Sequence, residues 1–280
     1  MKQRAGSRLT PILAGAVIPL VIIAVWQLIA VRLHNPSVLP RVEAVIDRLI
    51  HPFQDVLKTG SLFFNTGVSA FRVMWGFGCA VIIGIPLGLA MGRIGLVRRL
   101  FKPIIEVMRP LCPIAWIPFA LAVFRTSSVP NLFGIRYTDT ILDHVQIGMI
   151  FILFWGGFFP ILLNTIYGVT NVKNIFIEAA GTLGASKRQV FLKVVLPAAM
   201  PSIMTGLRVG LGICWFVIIA AEMLPGSDAG IGYLVIYAYQ LGEMDVIIAG
   251  MILIGLVGAL LSRGLEFASV PVSHWQARER

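Results

Sequence analysis

Charged side chains are scarce in this 280-residue chain. Only 13% of its residues are Asp, Glu, Lys or Arg, about half the share in an ordinary soluble domain. Acidic residues are scarcest, 13 against 23 Lys and Arg. With 58% of residues hydrophobic and a mean hydropathy of +0.88, a soluble globule could not cover its apolar surface. A cytosolic enzyme, a secreted disulfide scaffold and a disordered chain are excluded. The three cysteines, Cys79, Cys112 and Cys214, lie far apart in apolar blocks. They give neither a disulfide framework nor a metal spacing and read as packing residues. His34, His51, His144 and His274 are equally scattered and read as surface or interfacial groups. The chain contains no Gly-x-x-x-x-Gly-Lys-Ser/Thr loop to cradle phosphates and no nucleophile–base pair, so it does no chemistry of its own. Ten-residue segments of apolar–polar alternation are missing too, which excludes a membrane β-barrel.

What is present is long apolar runs. Lipid offers no partner for unpaired backbone groups, so these runs span as helices. Runs free of charge, or in the fifth case carrying only Arg208, fall at about 9–31, 73–92, 110–124, 145–172, 201–221 and 246–262, near the roughly 20 residues that a span requires. The third is short and carries Pro113 and Pro118. The first follows Lys2, Arg4 and Arg8 but outlasts a signal h-region and lacks a small-x-small cleavage site, so it reads as an uncleaved anchor. The connections alternate in charge. Residues 93–109 hold five basic and one acidic residue, 173–193 four and one, and 222–245 four acidic and no basic residue. The positive-inside rule then gives an all-α integral membrane protein of six helices with both termini cytoplasmic. The net charge of +10 belongs to the cytoplasmic loops and implies no nucleic acid. Residues 34–66 form the longest connection, on the outer side, with an amphipathic interfacial helix expected over 41–57.

Gly84, Gly88 and Gly92 line one helix face at four-residue spacing. They let another backbone approach closely, for packing within the chain or at a subunit contact or pore. The connection 173–197 is longer than a simple link requires. Its Glu178-Ala179-Ala180 favours helix, Gly184 suits a left-handed helix end, and Ser186 with Gln189 makes a capping-box pattern. Two short helices joined at Gly184 are expected, with Pro197 and Pro201 ending the second and starting span five. A compact basic helix–turn–helix on the cytoplasmic face is shaped to dock on a partner.

This stretch resembles the motif of bacterial ABC importer permeases: Glu-Ala-Ala, three residues, Gly, nine residues, an aliphatic, one residue, Leu-Pro. Glu178, Ala179, Ala180, Gly184, Val194, Leu196 and Pro197 match it, with Val in place of the usual Ile. The resemblance covers roughly residues 20–270. Ile85 to Gly92, Arg109-Pro110 with Pro113 and Trp116-Ile117-Pro118, Phe159 to Thr165, and Trp215 with Ala221-Glu222-Met223 are similar to the nitrate/sulfonate/taurine/bicarbonate subgroup. The outer connection 125–146 is longer than that subgroup leads one to expect. The resemblance implies a type I importer fold in the bacterial inner membrane, surrounded by lipid. It implies two ATP-binding subunits carrying ATP and magnesium, a second permease chain, and an extracytoplasmic substrate-binding protein. Residues Glu178, Ala179, Ala180, Gly181 and Gly184, followed by Val194, Leu196 and Pro197, would couple to the ATPase, and no cofactor or metal would sit on this chain. Another small solute, such as a thiamine precursor, amino acid or metal chelate, is the alternative cargo. An ATP-independent secondary transporter or channel is the rival class, which the docking loop argues against.

Three ionisable or aromatic residues on the helix of span five are candidates for the translocation path. Arg208, about 10 Å into the span, either snorkels to the cytoplasmic face or attracts an anion. Glu222, near the outer end, either pairs with a basic residue such as Arg72 or Arg125 or forms a gate. Trp215, seven residues beyond Arg208, shares its side of the helix and either packs or lines the path.

Overall fold

The computed structural model describes residues 9–124, 127–128, 141–224 and 226–273. Most of the outer connection 125–146, with Arg125, lies outside the described residues, as do Lys2, Arg4, Arg8 and His274. Among the described residues the elements are helices, and the extended pairings are two isolated bridges, Asp55 with Ser61 and Ser128 with Gln146.

Helix α1 is Leu9–Leu33 and α2 is Val42–Ile50. The amphipathic helix expected over 41–57 therefore ends early, at His51, because the residue before Pro52 is pushed out of helical geometry. Helix α3, Leu62–Arg93, is capped by the Ser61 hydroxyl accepting from the Phe64 amide. It begins well before the expected span start at 73. Arg72 marked that boundary by its charge, yet it is buried inside the helix. Next come α4, Gly95–Met108, a 3-10 turn at Pro113–Trp116, and α5, Ile117–Phe124. The expected third span is thus part of a broken pair meeting at 87°. Helix α6 is Ile147–Thr170 and α7 is Asn174–Thr182. Helix α8 is the continuous Lys187–Glu222, followed by α9, Ile231–Leu241, and α10, Met244–Ser273.

Four described helices, α3, α6, α8 and α10, are long and apolar enough to cross a membrane, or five crossings if the bent pair counts as one. The first apolar run lies in α1, which is 25 residues long.

Helix α6 is the centre of the bundle, with α3 along one side and α8 along the other. Small residues make both contacts close. A Cβ on Gly84 would meet Ile161 at 3.2 Å, on Gly88 Thr165 at 2.7 Å, and on Gly92 Val169 at 2.6 Å. The four-residue glycine stripe of α3 therefore packs within the chain against α6. On the α8 side, a Cβ on Gly206 would lie 2.7 Å from Asn164 and 3.0 Å from the Pro160 carbonyl. Buried apolar side chains, among them Leu153, Ile161, Leu162, Cys214 and Ile218, fill the remaining space. Helix α10 closes over α8, where the Trp215 indole donates to the Ile254 carbonyl at 3.0 Å.

Filling the stripe should loosen the bundle. Gly88→Val forces a methyl-bearing side chain against Thr165 and the Leu162 carbonyl, an overpacking cost of roughly 1–3 kcal/mol. Gly78→Val, on the same helix with open space around its Cβ position, is the matched control. Thermal melts of the purified chains in detergent should show a lowered midpoint for Gly88→Val alone; equal midpoints would refute the close approach.

Candidate functional site

Two polar constructions stand at opposite ends of the α3–α6–α8 bundle. At one end, α3 brings Asn65, Ser69 and Arg72 onto one face at helical spacing, and α8 ends at Glu222. Arg72 and Glu222 are both 0% exposed, and Arg72 Nη1 donates to Glu222 Oε1 at 2.8 Å. The same nitrogen donates to the Ala229 carbonyl at 2.6 Å, and Nε donates to the His144 carbonyl at 2.7 Å. Nη2 faces Asp228 at 3.7 Å. The Glu222 carboxylate lies 2.8 Å from the Ser69 hydroxyl through each oxygen and accepts from the Gly232 amide at 3.0 Å. Asn65 and Ser69 take the amides of Gly230 and Ile231 at 2.9 Å each.

This network fastens the 226–232 segment onto α3 and α8. Gly230 has φ +118°, and a Cβ there would strike the Glu222 carboxylate, so only glycine fits the turn. Of the two partners expected for Glu222, the structure supplies Arg72. Asn65 and Ser69 escaped the sequence reading. Their signal was the polar i, i+4 spacing running into Arg72, ahead of the expected span start at 73.

At the other end, α7 and the start of α8 form the loop singled out in the sequence. Helix α7 ends in a Schellman arrangement: the Ala185 amide donates to the Ala180 carbonyl at 3.1 Å and the Gly184 amide to the Gly181 carbonyl at 3.0 Å. Gly184 takes φ +76°. Ser186 and Gln189 make the reciprocal capping box. Beyond it the expectation of a separate second helix fails. Residues 187–222 run as one helix, with a π turn at Phe191–Val195 immediately before Pro197. The wider turn absorbs the amide that proline cannot supply, and the Leu196 amide bonds instead to the Phe191 carbonyl.

Glu178, Ala179, Gly181 and Gly184 are exposed, and no residue of α7 is fully buried. Ala180, Val194 and Leu196 are half-buried and Pro197 is exposed. Ile177 and Ala180 anchor the loop on a buried cluster containing Val169, Val190 and Val195. Apolar side chains nonetheless face outward: Leu183 is 88% exposed, with Ile175 and Phe176 beside it. Sequence pattern does not reveal such exposure, since it depends on which side of α7 meets the bundle.

The three candidate path residues are not gathered in one cavity. Arg208 is exposed, with its guanidinium 3.5 Å from the Ser269 hydroxyl of α10. Trp215 is buried against α10, and Glu222 is enclosed by the network described. No three His, Cys, Asp or Glu residues among the described residues gather as a metal site.

Residues 80–267 match the family described as binding-protein-dependent transport system inner membrane component. The chain is 49% identical to a putative ABC transporter permease of Methanocaldococcus jannaschii, over 92% of this chain and 90% of that one. It is 36% identical to the bicarbonate transport system permease CmpB of Synechococcus elongatus, over 90% and 87%. It is 33% identical to the taurine transport system permease TauC of Escherichia coli, over 91% and 86%. Among solved structures, an inward-facing MetNI methionine ABC transporter chain shares the fold, with a TM-score of 0.54 and 19% identity over 74% of this chain and 93% of that one.

Removing one partner from the buried pair should cost roughly 3–5 kcal/mol, because the other charge is left unpaired. Arg72→Met and Glu222→Leu singly should each lower stability to detergent-phase unfolding. The double variant should lose clearly less than the sum. Additive losses would mean that the two charges do not depend on each other.

Proposed function

The chain belongs to the binding-protein-dependent transport system inner membrane component family, as an ABC importer permease of the subgroup with bicarbonate, nitrate and taurine permeases, and on that premise we propose that it forms the path of an ATP-driven importer for a small anion of that kind. The observation that carries the mechanism is the α7–Gly184–α8 element. It is locked locally by a Schellman end and a capping box, is continuous with a membrane-length helix, and shows an outward face with Glu178 and Leu183. A partner that pushes on α7 acts on the first turns of α8, with the π turn at Phe191–Val195 standing between the docking element and the membrane-length part of the helix.

In this reading the assembly is a type I importer. Two ATP-binding subunits, carrying ATP and magnesium, seat α7 in a groove. A second permease chain completes the path, and an extracytoplasmic binding protein delivers the anion. The chain crosses the inner membrane six times with both termini cytoplasmic. Glu178, Ala179, Ala180, Gly181 and Gly184 contact the ATPase, while Val194, Leu196 and Pro197 hold the base of the loop. Closure of the ATPase pair drives alternating access. Arg208, on the exposed side of α8, draws the anion by positive potential in a low-dielectric setting. Trp215 and Glu222 act beside the path by setting the packing of α8 against α10 and α3.

The coupling role is tested by Glu178→Lys and Gly184→Val. The first reverses a charge that pairs with the partner; the second strains the left-handed turn by roughly 1–2 kcal/mol. Both should reach normal abundance in the membrane, lose uptake, and lose ATPase copurification or substrate-stimulated hydrolysis. A fully stimulated ATPase with failed uptake would remove the coupling role, and uptake by the wild type without any ATPase would remove the class. For the cargo, Arg208→Lys should retain more bicarbonate, nitrate or taurine uptake than Arg208→Gln at equal expression. Equal activity would leave Arg208 without an electrostatic role.

A further inference from the structure

The end of α3 and the first turns of α8 flank an open, shallow groove of about 370 Å³, lined by Leu89, Ala90, Arg93, Ile94, Lys187, Arg188 and Phe191. Its wall is apolar. Leu89 and Ala90 belong to the uncharged run 73–92, one turn before Arg93, the first charge on that helix since Arg72. Its rim is basic: Arg93, Lys187 and Arg188 are all exposed, and none is in an ion pair among the described residues. The groove therefore straddles the level at which α3 passes from apolar to charged, where hydrocarbon gives way to headgroups.

We propose that this groove binds one anionic phospholipid. An acyl chain would lie along Leu89, Ala90, Ile94 and Phe191, and the headgroup phosphate would meet Arg93, Lys187 and Arg188. Three unpaired cations above an apolar wall fit an anionic amphiphile and no simpler ligand. A free phosphate would leave the wall unused, and a zwitterionic lipid would bring a cationic group toward the three already present. A soluble partner's acidic surface fits less well, because Leu89 and Ala90 lie on the membrane side of the charges. Helix α4 extends the same logic. Leu96, Leu100 and Ile104 are exposed at four-residue spacing beside exposed Arg98 and Arg99, as expected of a helix lying at a lipid surface. Since Lys187, Arg188 and Phe191 form the first turns of α8, a lipid in this groove would bear on the helix that α7 leads into.

The test uses the purified full-length permease without its partners, so its failure leaves the coupling role standing and the reverse. Native mass spectrometry after delipidation would follow added palmitoyl-oleoyl phosphatidylglycerol and phosphatidylcholine. Phosphatidylglycerol should bind at least about tenfold more tightly, since each neighbouring cation adds to the attraction. Arg93→Gln/Arg188→Gln should lose about tenfold in phosphatidylglycerol affinity. Arg93→Lys/Arg188→Lys should keep most of it, and the charge-matched Lys173→Gln/Lys193→Gln should change it less than twofold. A photoactivatable phosphatidylglycerol should label peptides containing Leu89 or Phe191, which provides a readout on the unaltered chain. Equal binding of the two lipids, equal losses in the two Gln pairs, displacement by millimolar inorganic phosphate, or labelling confined to other helices would each overturn the proposal.

Discussion

Helices α3 and α8 approach α6 so closely that hydrogen replaces side chains at the contact. Gly88 rests on Thr165, and Gly206 rests on the Pro160 carbonyl. Lipid gives apolar helices no net reason to associate, so a bundle must gain its cohesion from close van der Waals contact and from polar links. Glycine supplies the first along the full length of α6. Once that line is set, the ends are set too. The end of α3 falls beside the end of α6, which places Arg93 next to the start of α8, and the opposite end places Arg72 beside Glu222.

The polar links are therefore confined to places where the helices already meet. The Arg72–Glu222 pair is desolvated on all sides, an arrangement that is tolerable only because most of its donors and acceptors are taken. Much of what satisfies it is backbone, from His144, Ala229 and Gly232. The pair thus fixes the course of a connecting segment as well as the spacing of two helices. A hydrophobic pair of equal volume could pack α3 on α8 but could not hold the 226–232 segment in register.

The same physics decides what the sequence made legible. The loop around Gly184 was legible because its determinants are local. A left-handed glycine and a Ser–Gln capping box act within a few residues, and both stand in the structure as the spacing suggests. The apolar class was legible from composition alone. Span limits were not, because a charge was read as an exit from the membrane. Arg72 and Glu222 break that rule by finding each other over 150 positions of sequence. Nor was the course of the chain around Pro197 legible. Proline ordinarily ends a helix, but a π turn lets α8 pass through it, and that choice depends on the packing of Val190 and Val195 beneath. The broken α4–α5 pair was hidden as well. The five basic residues of 93–109 marked that stretch as a connection, whereas Gly95–Met108 is a helix that meets the expected third span at 87°.

With so few charges available, their distribution describes how the two ends differ. At the end holding Glu222 several charges answer one another within the chain, although Arg32, Arg41 and Lys58 stand exposed there without an ion pair among the described residues. Arg72 meets Glu222 and Asp228, Arg48 meets Asp245 at 2.8 Å and Glu243 at 3.9 Å, and His144 meets Asp228 at 3.2 Å. At the end holding α7, Arg93, Arg98, Arg99, Lys173, Lys187, Arg188 and Lys193 stand exposed, with no ion-pair partner among the described residues. A charge paired internally serves the fold, whereas an exposed, unpaired one attracts something outside the chain. The first end is thus fastened by its own side chains. The second presents basic side chains beside apolar ones, Leu183 on α7 and Leu89 on α3.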